Sequence, residues 1–100
     1  MKTIDEMITF ADTCELPSNA VDAAHIATIM ATMAMPENFP AIALYLQRMF
    51  NAGYREAAVI FMRDAVRRDV KLCFTDTFAR IAEGPIGKFI AGADLTGILD

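Results

Sequence analysis

The sequence contains few of the side chains from which catalytic and metal-binding sites are built. His25 is its only histidine, and its two cysteines, Cys14 and Cys73, stand far apart with no CxxC motif. The spacings of HExxH proteases, EF-hands and zinc fingers are all missing. A lone histidine also lacks the nucleophile and the orienting group of a catalytic triad. We therefore expect a protein that is not an enzyme and that holds no metal and no cofactor.

One glycine-rich stretch has part of the pattern of a phosphate-binding loop. That loop requires four residues between its glycines and a Ser or Thr after its lysine. In this chain only two residues separate Gly84 from Gly87, and Phe89 follows Lys88. The stretch is therefore interpreted as a Gly-Pro turn between helices.

Long apolar runs are also missing. The first ten residues carry acidic side chains where a signal peptide needs an apolar run. The longest uncharged, mostly apolar stretch, Ala23 to Pro36, is shorter than the roughly 20 residues of a membrane span. Two cysteines far apart in a helical chain are typical of a reduced, intracellular protein, although a disulfide between them stays open. We expect a cytoplasmic protein without a membrane partner.

The chain is rich in apolar residues at helical spacing. Three apolar-striped segments follow one another from Ser18 to Asp69, separated only by Met35-Pro36 and Gly53. One hundred residues correspond to one domain. We predict a single all-helical domain over residues 1–100, an all-α, compact single-domain bundle of five or six short helices. The apolar share exceeds that of an average chain, so some apolar surface is expected to meet a partner or another copy, and a homodimer stays open.

Caps and helix breakers give the predicted boundaries. Thr3 and Glu6 fit a capping box, Asn38 is a candidate cap before Pro40, and Thr75 is a third cap. The predicted helices run from about Ile4 to Thr13, about Asn19 to Ala34, Phe39 to the stop at Gly53, about Tyr54 to Asp69, Thr75 through Glu83, and near Gly87 to Gly92. Residues 70–74 are predicted as one turn of strand or an extended linker, and the last residues as a looser tail.

Basic side chains are concentrated in the middle of the chain. The net charge is −4, yet residues 41–80 carry seven Lys or Arg side chains against four acids. Arg55, Arg63, Arg67 and Lys71 follow helical spacing and are predicted to line one ridge. The ridge is either an ordinary solvated face or a bidentate contact to carboxylates or phosphates of a partner.

Acidic side chains dominate the first forty residues, which carry six of them against Lys2 alone. Asp5, Asp12 and Glu15 are candidates to meet a basic surface, such as one that normally holds nucleic acid. The simpler interpretation is that they keep the chain in solution. The methionines Met30, Met33 and Met35 offer an adaptable apolar contact, but core packing with Phe39 is the favoured interpretation.

As a whole, the chain resembles the small phage-encoded anti-CRISPR proteins of type I systems. The resemblance lies in its size, acidity, helical pattern, few cysteines and absence of a catalytic motif. It implies a stoichiometric inhibitor that docks on a larger protein or ribonucleoprotein complex and blocks DNA access or a later step, without binding nucleic acid directly. Two alternatives stay open, a small helical DNA-binding or transcription regulator and a homo-oligomeric accessory subunit of an enzyme.

Overall fold

The computed structural model describes residues 3–68 and 70–92. Across these ranges the chain forms an all-α bundle without strands, as predicted. The helices are α1 (Ile4–Thr13), α2 (Ala20–Met33), α3 (Phe39–Asn51), α4 (Arg55–Arg68), α5 (Asp76–Glu83) and α6 (Pro85–Gly92), with a 3-10 helix (Val70–Phe74) between α4 and α5. The predicted loose tail after Gly92 lies outside the described residues, as does Asp69.

Side-chain caps begin three of the helices. Thr3 Oγ1 accepts a hydrogen bond from the Glu6 main-chain nitrogen at 3.2 Å, as the capping box predicts. Thr75 Oγ1 accepts from the nitrogen of Phe78 at 3.0 Å, which confirms the predicted cap of α5. Asn19 caps α2 in the same way. These caps are local, which explains why the sequence predicts these helix starts to within a residue or two.

Asn38 stands at the start of α3, but its side chain does not cap that helix. Its backbone is already helical, with φ −103° and ψ −4°, whereas a capping side chain needs an extended backbone to reach the first turn. Asn38 Oδ1 instead accepts from the nitrogen of Met35 at 2.8 Å, and Nδ2 donates to the oxygen of Met33 at 2.9 Å. Asn38 therefore fixes the turn between α2 and α3.

One further prediction near the C-terminus is wrong. Residues 70–74 form a 3-10 helix rather than a strand or an extended linker. It buries Leu72 in the core and leaves Lys71 and Phe74 exposed. The predicted sixth helix is confirmed and ends at Gly92. It begins two residues earlier, at Pro85, because proline is well suited to a first helical turn, where no N–H partner is needed.

The core lies where α2, α3 and α4 meet. Phe39, Phe61, Leu46 and Met49 are fully buried in it, and the rings of Phe39 and Phe61 have centroids 5.9 Å apart. α2 packs mainly against α4. Its buried residues are Ala23, Ala27 and Ala31, whose small side chains permit the close crossing that their spacing predicts.

The helices do not form a closed ring. The main contacts join α1 to α3, α3 to α4, and α4 to α2. No comparable contact joins α1 to α2 within the described residues. α1 and α2 consequently stand on either side of a gap whose floor is α3.

Candidate protein-binding groove

The gap between α1 and α2 is an open apolar groove of about 460 Å³. α1 and the residues after it form one wall, α2 forms the other, and α3 forms the floor. The lining consists of Met7, Phe10, Ala11, Cys14, Glu15, Ile26, Ile29, Met30, Met33, Asn38, Ala41, Ile42 and Tyr45. Its volume falls in the range of ligand and peptide sites, and its surface is apolar with few polar groups.

The α2 wall exists because this helix is apolar on two faces. The alanine face is covered by α4, while the second face, which carries Ile26, Ile29, Met30 and Met33, turns to the groove. Ile29 is 44% exposed and Met33 is 60% exposed. Phe10, on the opposite wall, is 59% exposed. Large apolar side chains exposed together across a groove mark an interaction site.

Exposure of this face corrects the interpretation of the methionines. Core packing was favoured for Met33 and Met35, but both are more than half exposed, while Phe39 is fully buried. Met30 is partly buried and lines the groove. The flexible thioether side chains at this site suit a surface that adapts to its occupant.

Two side chains of α3 hold the α1 wall in place. Arg48 Nη1 donates to the main-chain oxygens of Ala11, at 2.6 Å, and Cys14, at 2.9 Å. The Tyr45 hydroxyl donates to the oxygen of Glu15 at 2.9 Å. Burial raises the pKa of Tyr45 above its ordinary value of 10.0, the neighbouring Cys14 raises it further, and Arg48 lowers it. The phenol therefore keeps the proton with which it holds Glu15.

Carboxylates lie in and near the groove. Glu15 belongs to its lining. Asp5 and Glu6 share a shallow depression on α1 with Phe10, which is also a groove residue. Asp22 lies seven residues before Ile29, and residues with that spacing share one helix face. No lysine or arginine occurs between residues 3 and 40, so the charged side chains of the two walls are acidic, while the guanidinium of Arg48, from α3, lies against the end of the α1 wall.

The predicted acidic residues are thus divided around the site. Glu15 lines the groove. Asp5 shares a depression with Phe10 on the outer side of α1, and at about 100° of rotation per residue it points roughly 140° away from that side chain, outside the groove. Asp12 is exposed on α1, seven residues after Asp5 and so on the same face of the helix. Asp5 and Asp12 therefore face away from the groove, and of the three predicted acids only Glu15 lies in its lining.

The predicted basic residues do not form one exposed row. The guanidinium of Arg55 lies over the ring of Phe50, 5.2 Å from its centroid. Arg63 is only 23% exposed, and its Nε donates to Asp64 Oδ1 at 3.1 Å. Arg67 is exposed at the end of α4, and Lys71 belongs to the 3-10 helix. At about 100° of rotation per residue, Arg55 points roughly 80–120° away from the other two arginines.

The remaining candidates form no chemical constellation. His25 is exposed on α2, and both cysteines are free thiols. No group of three or more potential metal ligands occurs in residues 3–68 and 70–92. Within the same residues, no helix is both long and apolar enough to traverse a bilayer. Gly84 separates α5 from α6, and Pro85 is the first residue of α6, so the predicted Gly-Pro turn lies at the junction of these two helices.

Sequence reasoning missed the groove, although one signal for it was present. α2 is apolar on two faces, one lined by alanines and the other by isoleucines and methionines. A helix with two apolar faces has two surfaces to cover. In this fold α4 covers only the alanine face.

Comparison with protein families, with curated proteins and with solved structures found no match to this chain.

Proposed function

We propose that this chain is a cytoplasmic, non-enzymatic protein-binding inhibitor that docks on a larger nucleic-acid-recognising complex and blocks DNA access or a later step. The observation that carries the proposal is the groove between α1 and α2, an apolar surface edged by carboxylates. Two free thiols in the chain suit a reducing compartment.

The charge around the groove supports a basic partner surface. Proteins that hold nucleic acid present lysines and arginines to its phosphates. Glu15 and the carboxylates of α1 can form ion pairs with lysines and arginines of the partner. The apolar lining can pack against the methylene groups of those lysines and arginines and against the partner residues beside them. When this chain is bound to that basic surface of the partner, it covers the surface to which DNA binds, and this accounts for inhibition without catalysis.

The tyrosine and the asparagine of the groove lining make hydrogen bonds within the chain itself. The Tyr45 hydroxyl donates to the oxygen of Glu15, and the Asn38 amide bonds to Met33 and Met35. The Cys14 thiol neighbours Tyr45, but the groove lining contains no histidine to pair with that thiol, the pairing that covalent catalysis by cysteine uses. The groove is therefore suited to recognition by shape and charge.

The test is capture of the target complex from the native host by the tagged full-length chain, compared across three variants. Ile29→Asn with Met33→Asn removes apolar contact from the groove. Thr28→Asn with Thr32→Asn introduces the same two asparagines at exposed positions of the same helix outside the groove and removes no large apolar side chain. Arg63→Glu with Arg67→Glu reverses the charge of two of the four arginines of α4.

The proposal expects capture of a nucleic-acid-binding complex whose DNA binding the purified chain inhibits. The groove variant loses both capture and inhibition, while the threonine variant and the charge-reversal variant keep them. The proposal would be overturned if the groove variant still captured and inhibited the complex. It would also be overturned if only the arginine-reversal variant lost both activities. Direct DNA binding with a steep salt dependence would favour the alternative of a DNA-binding regulator.

A further inference from the structure

We propose that the occupant of the groove is an amphipathic α-helix with basic side chains beside its apolar stripe, supplied by the partner protein. This inference rests on the proposed function and names the element that the groove receives. It follows from three observations: the open ring of helices, the lack of backbone partners in the groove, and the charge of its edges.

The first observation is the missing helix–helix contact. α1, α3, α4 and α2 pack in series, and the ring stays open between α1 and α2. The lining runs from Met7 to Cys14 on one wall and from Ile26 to Met33 on the other. At 1.5 Å per residue, each wall is about 10 Å long, or two turns of helix. An entering helix with apolar residues at positions i, i+3 or i+4, and i+7 matches that length.

The second observation concerns hydrogen bonding. The walls and floor are helices, whose main-chain groups already bond within each helix. The Tyr45 hydroxyl and the Asn38 amide are engaged with main-chain atoms of the chain itself. An extended peptide would bury main-chain groups against this surface without hydrogen-bond partners, which weakens its binding. A helix satisfies its own main chain and avoids that penalty.

The third observation is the negative charge of both walls. A second copy seated groove to groove would bring Glu15 and Glu6 toward the same carboxylates of the other copy, which repel them. The chain's own residues 93–100 contain two aspartates and no lysine or arginine. Charge complementarity therefore favours a basic helix from another protein over both of these occupants.

The experiment titrates the full-length chain against three fluorescent 14-residue peptides and follows binding by anisotropy. The first peptide contains leucines at helical spacing and lysines elsewhere. The second has the same composition with leucines at alternate positions, which favours a strand. The third keeps the helical leucine spacing and replaces every lysine by glutamate.

The inference expects the helical lysine peptide to bind at least about tenfold more tightly than either of the other two, a free-energy difference of about 1.4 kcal/mol. Ile29→Asn with Met33→Asn abolishes that preference, and the matched Thr28→Asn with Thr32→Asn leaves it intact. Glu6→Gln with Glu15→Gln weakens binding and lowers its dependence on salt. Glu56→Gln with Glu83→Gln, exposed on α4 and α5, is the matched charge control and changes neither.

Each other outcome overturns the inference in a recognisable way. If the alternating lysine peptide binds as tightly as the helical lysine peptide, and the groove variant binds neither, the occupant is not a helix. The proposed function then stands. Binding indifferent to the groove variant refutes the groove as the docking site and so both proposals. If sedimentation shows that the native chain is a dimer and that the groove variant is a monomer, the occupant is a second copy of the chain. A tenfold gain in peptide affinity on Leu95→Asn with Ile98→Asn identifies the chain's own C-terminal segment.

Discussion

Arg48 donates a hydrogen bond of 2.6 Å from Nη1 to the main-chain oxygen of Ala11, 37 residues earlier in the chain. The same nitrogen reaches the oxygen of Cys14. These carbonyls belong to the C-terminal end of α1, where the last turn lacks helical partners and the helix dipole is negative. A cation on α3 thus caps α1 and holds one wall of the groove at a fixed place.

Replacing Arg48 should loosen that wall. Arg48→Gln removes the charge-assisted hydrogen bonds and is expected to lower the free energy of unfolding by about 1.5–3 kcal/mol. Urea denaturation measures the loss, and hydrogen exchange should show faster exchange of the α1 amides than of the α4 amides. Arg68→Gln, the same change at an exposed position, is the control and should change little. Equal effects of the two variants would show that the cap contributes nothing.

Tyr45 should make stability depend on alkaline pH. Because its pKa in the folded chain is raised, folding favours the protonated phenol. The contribution is fully present below the ordinary pKa of 10.0 and is lost as the pH rises through the higher folded-state value. Denaturant unfolding measured between pH 8 and pH 11.5 should therefore show a fall of stability at the alkaline end.

Tyr45→Phe removes that pH-dependent contribution together with the bond to Glu15. At neutral pH the variant is expected to be less stable by about 0.5–1.5 kcal/mol, and its stability should fall less steeply above pH 10. Tyr54→Phe removes the other tyrosine and should keep the steep alkaline fall. An unchanged alkaline slope in Tyr45→Phe would contradict the assignment.

The crossing of α2 on α4 should tolerate no larger side chain. Ala27 is fully buried at that contact. Ala27→Leu adds three carbons where the helices already touch, and overpacking of this kind destabilises a protein by about 1–3 kcal/mol. Ala20→Leu makes the same change at an exposed position of α2 and should be nearly neutral. Thermal unfolding gives the melting temperature of each variant, and that of Ala27→Leu should be the lower. Equal melting temperatures would refute the close crossing of α2 on α4.

Gly87 should be required where α6 turns back on α5. A Cβ at this position would overlap the main-chain oxygen of Ala82, and a main-chain atom cannot move aside as a flexible side chain can. Gly87→Ala is therefore expected to destabilise the chain by more than about 1 kcal/mol and to shift the amide resonances of α6. Gly92→Ala is the control, because a Cβ there meets nothing within 4 Å. A neutral Gly87→Ala would disprove the close approach.

Features that depend on neighbouring residues were predictable from the sequence. The caps at Thr3 and Thr75 act within three residues, so the starts of α1 and α5 follow from local pattern. The alanine spacing of α2 likewise indicated a close crossing. Asn38 marks the limit of such reasoning, because its role depends on backbone angles that its neighbours in sequence do not specify.

Features that depend on distant residues were not predictable in the same way. The groove exists because α1 packs on α3 and leaves α2 uncovered, and that arrangement depends on Arg48 and Tyr45 reaching back more than 29 residues. Charge spacing alone suggested a ridge through Arg55 and Arg63. In the fold, Arg55 lies on Phe50 and Arg63 is bonded to Asp64, contacts that spacing does not reveal.

The most direct test of the docking groove is methyl NMR of the chain labelled at its methionines, recorded during titration with the captured complex or with the helical lysine peptide. Met7, Met30 and Met33 line the groove, whereas Met49 and Met62 are buried in the core. The account predicts that the three groove methyls shift or broaden and that the two core methyls stay in place. Saturable binding that leaves the resonances of Met7, Met30 and Met33 unchanged would contradict it.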